Sequence, residues 1–348
     1  MGATSHHEKN KKKRHRGRVF VIGAGVSASS GIAVSNRILY EAITQLEEID
    51  VSKVDRVHKL LHYLYPSFDK RIRNYPNVED FLNLLEMAKK FNTEEFITSE
   101  LWSVPKLDEV KRITLKAITD YIWRLMANRQ KQAVIREFVH GNLREGDTII
   151  TFNWDLTFEH ALEEYPGDPG FLYKYSSKRK RKYLSLLKPH GSIDWFERAA
   201  IKGLVRTSQI GILDEKLCYY PRFNRAENPK LSDIPPAIVP PLADKQFELD
   251  FFKRTWRHVY KAVSDATELH AIGYSLPRED QFARLVFRRG IRNNILKASR
   301  RGEQPTKILV VNPDPVTEGT FSRLVGRGVA SFDFQQAYFD DYVASLRE

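Results

Sequence analysis

Cysteine is almost absent from this chain, which has one, Cys218, in 348 residues. A single thiol excludes an intrachain disulfide framework and any zinc site built from four thiolates. Scarce cysteine is typical of proteins of the reducing cytosol, so we expect a cytoplasmic location. We interpret Cys218 as a small apolar core residue rather than as a nucleophile.

Long apolar runs are also missing. No stretch of about 18 consecutive apolar residues occurs, which argues against a membrane-spanning helix. Residues 1–17 are polar and lack the apolar stretch of a secretory signal, so we expect no export signal there. With 42% hydrophobic and 11% aromatic residues, the chain has the composition of a folded globular protein.

Positive charge is in excess, with 56 lysines and arginines against 44 acidic residues and a formal net charge of +12. Two runs, residues 11–16 and 178–182, supply part of it. Such runs contact phosphates in nucleic-acid-binding proteins, but they are also typical of solvated tails and loops. We favour the second interpretation and predict a disordered basic tail over residues 1–16. A dinucleotide would also be attracted by a positive field, so charge alone does not separate a small ligand from nucleic acid.

Short, mostly apolar strand patterns recur along the chain, and helical patterns lie between several of them. Alternating strands and helices predict an α/β fold with a Rossmann-like, mostly parallel, doubly wound sheet. Loops are expected at 165–170 and 235–241, and a helix at 251–265. The strands are predicted at 19–22, 148–152, 184–188, 268–272 and 307–311.

Residues 36–145 differ from the rest because they show helical periodicity. We therefore predict a helical subdomain inserted into a domain that spans residues 17–348. A helix is expected to begin at Asn77, with Asp80 in its first turn. Two apolar faces at helical spacing are expected to pack as core: Val78, Phe81, Leu82, Leu84, Leu85 and Ala88 in one, and Ile118, Tyr121, Ile122, Leu125 and Met126 in the other.

A glycine-rich turn follows the first predicted strand and precedes a helical pattern. In open α/β sheets this arrangement presents backbone N–H groups and a helix N-terminus to a pyrophosphate. The glycines fall at Gly23, Gly25 and Gly31, so the spacing differs from the G-x-G-x-x-G pattern of dehydrogenases. Many strand-to-helix turns need glycine for their geometry alone. The loop by itself is therefore compatible both with nucleotide binding and with a sharp turn.

Polar residues follow the second and third predicted strands, at the sheet edge where open α/β proteins bind ligands. A strand tip seldom needs a carboxamide without a partner, so we interpret Asn153 as a functional residue. Asp155 is equally well placed to cap the helix expected from Leu156. His190 lies in a tight turn before Gly191, and its imidazole suits proton transfer near neutral pH. The alternative for His190 is a turn histidine bonded to backbone.

Two further strand tips carry polar residues. Gly273 and Ser275 repeat the glycine-plus-hydroxyl pattern of the first loop, and Asn312 follows the fifth strand, where it could meet a ribose or a base edge. Each set is also compatible with ordinary turn and cap chemistry. Because the carboxyl ends of parallel strands share one sheet edge, five polar tips together favour a ligand site over coincidence.

Taken in this order, the segments resemble the sirtuin superfamily over residues 19 to about 315. The pattern Gly-Ala-Gly-x-Ser-x-x-Ser-Gly-Ile is matched at Gly23, Ala24, Gly25, Ser27, Ser30, Gly31 and Ile32. The other similarities are Thr151-x-Asn153-x-Asp155 to the Thr-x-Asn-x-Asp strand tip, His190-Gly191 to the catalytic His-Gly, Gly273 and Ser275 to the later Gly-x-Ser loop, and Asn312 to the ribose-contacting Asn.

Two departures separate the chain from the classical deacylases of that superfamily. Those enzymes carry a zinc ribbon of four cysteines, which one cysteine cannot build, so we expect no zinc ribbon and no metal. They also continue Ser-Gly-Ile with Pro-Asp-Phe-Arg, whereas residues 33–36 here read Ala-Val-Ser-Asn. Residues 77–82 and 273–276, with the helical insert, instead resemble bacterial sirtuin-like proteins of antiphage defence.

This resemblance implies an enzyme that hydrolyses NAD+ to nicotinamide and ADP-ribose and depletes it during abortive infection. The first-loop N–H groups with Ser27 would bind the diphosphate, and Asn153 would orient the ribose and the attacking water. His190 would act as general base, on water directly or through a ribose hydroxyl. Asp155 would polarise the nicotinamide pocket or support Asn153. The expected NAD+-binding set comprises Gly23, Ala24, Gly25, Ser27, Ser30, Gly31, Gly273, Ser275 and Asn312.

Unregulated loss of NAD+ would be toxic to a host, so we expect control by assembly as a homo-oligomer or by a partner. A DNA-translocating ATPase, which accompanies some members of the resembled family, or a sensor protein would fit that role. Three other functions predict different behaviour. A zinc-free protein deacylase or ADP-ribosyltransferase would consume NAD+ only with an acylated or acceptor protein. A subunit that senses NAD+ or ADP-ribose would bind without consuming, and nucleic-acid binding through the basic runs would weaken steeply with salt.

Overall fold

The computed structural model describes residues 17–93, 102–164, 171–173 (backbone), 184–220, 231, 234–239 and 249–347. The predicted tail over residues 1–16, the loop at 165–170 and the basic run at 178–182 lie outside the described residues.

Ten strands are present in these ranges. In chain order they are β1 (Arg18–Ile22), β2 (Thr148–Thr151), β3 (Phe171–Tyr173), β4 (Leu184–Leu187), β5 (Trp195–Glu197), β6 (Gly211–Ile212), β7 (Leu217–Tyr219), β8 (Glu268–Ile272), β9 (Lys307–Val311) and β10 (Ser331–Gln335). Seven of them form one sheet in the order β10-β9-β8-β1-β2-β4-β3, and all its neighbouring pairs are parallel. The predicted α/β fold with a mostly parallel sheet is confirmed, and the five predicted strands all belong to this sheet.

The chain reverses direction across the sheet at β1. After β1 it adds β2, β4 and β3 on one side, and it then returns to place β8, β9 and β10 on the other side. The connections that follow β1 and β8 therefore continue toward opposite sides of the sheet. In open α/β sheets the crevice at such a reversal is the usual ligand site.

The sheet is covered by helices on both faces, which explains the apolar strand sequences. Phe20 and Ile22 of β1 belong to one buried cluster, and Val19 and Val21 belong to another. The helices are α1 (Ala24–Ser27), α2 (Ile38–Glu47), α3 (Val51–Leu64), α4 (Val78–Thr93), α5 (Val104–Met126), α6 (Ala133–Asn142), α7 (Thr157–Glu163), α8 (Arg198–Ile201), α9 (Asp250–Asp265), α10 (Gln281–Arg301), α11 (Val316–Val325) and α12 (Phe339–Ser345). None of the described helices is long and apolar enough to cross a membrane.

Helices α1 to α6 connect β1 to β2, and α2 to α5 share a core of their own. Helix α4 begins as predicted, because the Asn77 side chain accepts the Glu79 N–H at 2.8 Å. Helix α6 instead packs on the sheet, where Phe138 meets Phe20 with ring centroids 5.7 Å apart. It covers the sheet in the β1-to-β2 crossover. Of the two predicted apolar faces, Val78, Phe81, Leu82, Leu85, Ile118, Ile122 and Met126 are buried, and Leu84, Ala88, Tyr121 and Leu125 are half-buried.

A second, antiparallel sheet in the order β5-β7-β6 follows the His190 segment and was not predicted from the sequence. Its strands have two or three residues, too few for a recognisable period. Cys218 lies on β7, fully buried beside Phe196, and burial raises the pKa of its thiol to about 11. A buried thiol with a raised pKa is a poor nucleophile, so its interpretation as a core residue is confirmed.

Candidate functional site

The loops that leave β1 and β8 interlock at the point where the chain reverses. The Gly23 N–H donates to the Ile272 carbonyl at 3.1 Å, and the Gly25 N–H donates to the Gly273 carbonyl at 3.0 Å. A Cβ added to Gly23 would lie 2.5 Å from the Gly273 oxygen. Gly273 itself has a φ of +60°, and a Cβ there would lie 2.7 Å from the Val26 nitrogen. The glycines are therefore required for loop packing. The N–H groups of Gly23 and Gly25 are bonded to the protein instead of facing a diphosphate, and so is that of Gly31, which donates to the Ala28 carbonyl at 2.9 Å.

The remainder of the first loop keeps polar groups at the same edge. Ala24, at the start of α1, is half-buried, and Gly31 ends the turn with a φ of +81°. Ser30 is 2% exposed, and within the described chain its hydroxyl has no hydrogen-bond partner. An unsatisfied buried hydroxyl is costly, which favours a partner from outside these residues, such as water or a ligand oxygen.

The Asn153 side chain joins the tip of β2 to the first loop. Its Nδ2 donates to the Gly23 carbonyl at 2.9 Å and to the Ser27 Oγ at 2.7 Å. Because a carbonyl oxygen only accepts, its Gly23 contact fixes the orientation of the amide. The Oδ1 atom makes no hydrogen bond within the described residues, and the side chain is half-buried. Asn153 therefore presents Oδ1 as a fixed hydrogen-bond acceptor at the sheet edge. The sequence alone does not indicate which atom of the amide faces this edge.

Ser27 and Asp155 continue this network into the protein. The Ser27 hydroxyl donates to Asp155 Oδ2 at 2.6 Å, and the Thr157 hydroxyl and N–H donate to Asp155 Oδ1 at 2.6 and 3.0 Å. Asp155 thus binds the first turn of α7 and also orders the hydroxyl that holds Asn153. The predicted support of Asn153 by Asp155 is present through Ser27, whereas the N-cap residue of α7 is Leu156, and Asp155 accepts only from Thr157, the first residue of the helix. Ser27 is 2% exposed, so its hydroxyl serves as an internal link.

His190 lies beyond β4 and is paired with a carboxylate from the loop after β8. Its Nε2 is 2.9 Å from Asp280 Oδ2, and the two side chains are 3% and 0% exposed. The other oxygen of Asp280 accepts the Ala283 N–H at 3.1 Å, at the start of α10. Sequence reasoning missed Asp280 as a site residue. In the sequence, its position before a long helix indicates only a helix cap. Its contact with His190 depends on the path of the loop in three dimensions.

Aromatic rings surround His190 and connect it to the Asn153 side of the site. The imidazole packs edge-on against Phe152 at 4.9 Å between centroids and lies 6.1 Å from the Trp256 ring. Phe152 in turn stacks on Tyr274 at 4.3 Å with an interplanar angle of 2°. Because Phe152 precedes Asn153 in the chain, these ring contacts link the histidine to the β2 tip that carries the carboxamide.

A buried charged cluster lies beneath the Asn153 network. The Lys188 ammonium, with a side-chain exposure of 0%, donates to Glu159 Oε1 at 2.8 Å and to the Asp155 backbone carbonyl. Asp194 is the second carboxylate of this cluster. Burial, together with the negative charge of Glu159, raises the pKa of Asp194 to about 7, although Lys188 opposes the shift. Lys188, Glu159 and Asp194 were not singled out from the sequence, because they form no recognisable motif there.

The other predicted site residues are at the same edge but outside this network. Ser275 is exposed in the loop after Gly273. Asn312 is 6% exposed, and its Oδ1 accepts the Asp314 N–H at 3.0 Å, which is ordinary turn chemistry. The Gly273 N–H donates to the Val311 carbonyl at 2.9 Å, so these tips are tied together through backbone. Within the described ranges, no group of three or more His, Cys, Asp or Glu side chains is placed to hold a metal ion.

Comparison with protein-family models gives no match, and comparison with curated proteins gives none either. Among solved structures, the chain is similar to a Sir2 structure with a p53 peptide and NAD+, at 14% identity, with 95% of this chain and 92% of that chain covered and a TM-score of 0.37. It is also similar to a crystal structure of Sir2 with the inhibitor EX-527, 2′-O-acetyl-ADP-ribose and a deacetylated p53 peptide, at 13% identity, with 95% and 92% covered and a TM-score of 0.36.

Proposed function

We propose that this protein is an NAD+ hydrolase that cleaves the bond between nicotinamide and ribose. The observation that carries the proposal is the Asn153 amide, whose Oδ1 is a preoriented acceptor at the sheet edge where α/β proteins bind nucleotides. Such an acceptor suits a ribose hydroxyl or a water molecule. His190 with Asp280 supplies a proton-transfer pair on the same edge.

The polar groups of the loops that follow β1 and β8 fit a dinucleotide. Ala24 and Ser30 would receive the diphosphate, and the buried Ser30 hydroxyl would gain the partner it lacks within the described chain. Gly31 would act by ending the turn, since its own N–H donates to the Ala28 carbonyl. Ser275 and Asn312 would contact the ribose groups from the neighbouring loops. Gly23, Gly25 and Gly273 act indirectly, because they allow the close approach of the two loops. Ser27 and Asp155 are positioning residues that hold Asn153.

The reaction breaks the C1′–N bond, and the electron pair leaves with nicotinamide, which departs as a neutral base. The water oxygen forms the new bond to C1′, and the water proton passes to His190, directly or through a ribose hydroxyl. Asp280, whose Oδ2 lies 2.9 Å from Nε2 of His190, stabilises the imidazolium that forms. Asn153 orients the water and the ribose. Charge develops on the ribose in the transition state, and fixed dipoles stabilise it.

The cellular role that fits this chemistry is depletion of NAD+ in bacterial antiphage defence, in the cytoplasm. This part of the proposal rests on the sequence resemblance and on the departures from the deacylase pattern. Control would come from assembly of copies of the chain or from a partner protein. The same resemblance supports a domain with a helical insert, and the basic tail over residues 1–16 rests on the charge run of the sequence.

The test is incubation of the purified protein with NAD+ alone, with chromatographic measurement of nicotinamide and ADP-ribose. His190→Ala and Asn153→Ala should each reduce release at least about 100-fold, the usual contribution of a general base or a positioned polar group. His62→Ala, which removes an exposed histidine on α3, is the matched control and should retain full activity. Consumption that requires an acylated protein would identify a deacylase instead. Binding without consumption would identify a sensing subunit.

A further inference from the structure

An open groove lies between α9 and α10, with a cavity volume of about 900 Å³. Its apolar lining includes Trp256 and Tyr260 from α9 and Phe282, Leu285 and Leu296 from α10. Three of these side chains are unusually exposed, since Leu285 is 47%, Leu296 is 41% and Tyr260 is 37% accessible. Apolar residues scattered singly on a surface need no explanation, but a contiguous strip in a concave site indicates a binding surface.

The same groove is lined by cations. Lys253 and Arg257 come from α9, and Arg288, Arg289 and Arg292 come from α10. Among the residues that the structure describes, no carboxylate lines this groove. Among the described residues only Lys253 of this group is ion-paired, with Asp250 of its own helix at 3.2 Å. Four guanidinium groups beside an apolar strip are complementary to a ligand that carries both carboxylates and apolar side chains.

The length of the groove indicates which kind of structure could bind in it. Its lining on α10 runs from Phe282 to Leu296, which spans roughly 21 Å at about 1.5 Å per helical residue. The helices are fixed together below it, because a Cβ on Gly290 would lie 2.7 Å from Val263 Cγ1, and Asn294 donates to the Ser264 and Ala266 carbonyls. A rigid two-helix trough about four turns long matches the apolar face of a third helix.

Nucleic acid is the other polyanion that such arginines could attract, and the groove suits it less. Single strands bind by stacking bases on aromatic rings along a basic track. Here Trp256 is 3% exposed and Phe282 is half-buried, so among the described residues of the strip Tyr260 is the one exposed ring, beside the exposed Leu285 and Leu296. One exposed ring does not make a row of stacking platforms. Leucine side chains instead pack well against the aliphatic side chains of an amphipathic helix.

We propose that the groove between α9 and α10 is the docking site for an acidic amphipathic helix of a partner protein. The partner's apolar face lies on the strip from Phe282 to Leu296, and its carboxylates pair with Arg257, Arg288, Arg289 and Arg292. The docked helix would lie close to His190, because Trp256 lines the groove and also packs against the imidazole.

The probe is a fluorescein-labelled synthetic peptide of about 16 residues, with leucines on one helical face and glutamates elsewhere, titrated with the full chain at physiological salt. We expect saturable binding, detected by fluorescence anisotropy. Arg288→Glu with Arg292→Glu should weaken it at least about tenfold through direct repulsion. The matched control is Lys59→Glu with Arg112→Glu, which reverses two exposed charges on α3 and α5 and should leave the affinity unchanged.

Leu285→Gln is a milder variant that keeps every charge, and it should also weaken binding of the peptide. This result would distinguish docking on the apolar strip from general charge attraction. A scrambled peptide of equal composition should bind weakly or not at all. The proposal is overturned if the designed peptide fails to saturate, if both double variants bind it equally, or if the scrambled peptide binds as well. It is also overturned if a labelled single-stranded DNA oligonucleotide, and not the peptide, shows binding that depends on Arg288 and Arg292.

Discussion

Asp194 is fully buried beside Glu159 and Lys188, and its cluster holds two carboxylates for one ammonium group. The excess carboxylate has its pKa raised from the ordinary 3.8 to about 7. In the unfolded chain the carboxyl loses its proton near pH 4, whereas in the folded protein it keeps the proton up to about pH 7. Between these values the folded state binds more protons, so the stability falls as the pH rises.

The size of this effect follows from the two pKa values. A difference of about 3 pH units corresponds to about 4 kcal/mol of lost stability above pH 7. Roughly 3 kcal/mol of this loss falls between pH 5 and pH 8, because part of the window lies below pH 5. Asp194→Asn replaces the protonated carboxyl with a neutral group of the same shape. The free energy of unfolding of the variant, minus that of the wild type, should therefore rise by about 3 kcal/mol from pH 5 to pH 8.

The assay is urea denaturation of both proteins at pH 5, 6, 7 and 8, and the quantity compared is the difference in the free energy of unfolding. Taking this difference removes the contributions of other titrating groups, such as His160, whose burial lowers its pKa to about 4. Asp333→Asn, at an exposed carboxylate on β10, is the control and should show no such trend. A difference between Asp194→Asn and wild type that stays constant across the pH range would refute the reasoning.

Three further predictions concern the loops and the site. Gly23→Ala places a Cβ 2.5 Å from a backbone oxygen and should lower the free energy of unfolding by about 1–3 kcal/mol or more, whereas Gly141→Ala, with open space around it, should not. An equal effect of the two changes in denaturation curves would contradict the interlocked loops. Asp280→Asn keeps a capping side chain but removes the charge paired with His190, so kcat for NAD+ should fall roughly 100-fold with little change in KM or in the circular dichroism spectrum. Unchanged kcat would show that the pair has no role in proton transfer. Ser27→Ala removes one donor to a buried carboxylate and one acceptor for the half-buried Asn153 amide, so it should lower the free energy of unfolding by about 1–3 kcal/mol and lower turnover. A variant as stable and as active as wild type would exclude the network.

The sheet could be predicted from the sequence because its central strands are buried on both faces. Runs such as Val19–Ile22 and Lys307–Val311 are dense in β-branched residues, and this density is a local property of the sequence. The edge strand β10 was missed because it reads Ser-Phe-Asp-Phe-Gln and none of its residues is fully buried. The three-residue β3 was missed because it is too short to show a period.

The site was only partly predictable for a related reason. Residues at strand tips are brought together by the parallel topology, so Asn153, Asp155 and the first loop could be placed on one edge from the sequence. The pairing of His190 with Asp280 crosses several strands of the sheet and depends on loop paths. The inward orientation of Ser27 was also not predictable, because a serine in a glycine-rich turn gives the same pattern whether it faces a ligand or a carboxylate.

The most direct test of the proposed chemistry is the ratio of products formed from NAD+ when no protein acceptor is present. We predict that the wild-type protein releases nicotinamide and free ADP-ribose in equal amounts, and that His190→Ala releases at least about 100-fold less of both. Failure to release nicotinamide from NAD+ alone, or release without free ADP-ribose, would contradict hydrolysis by water at this site.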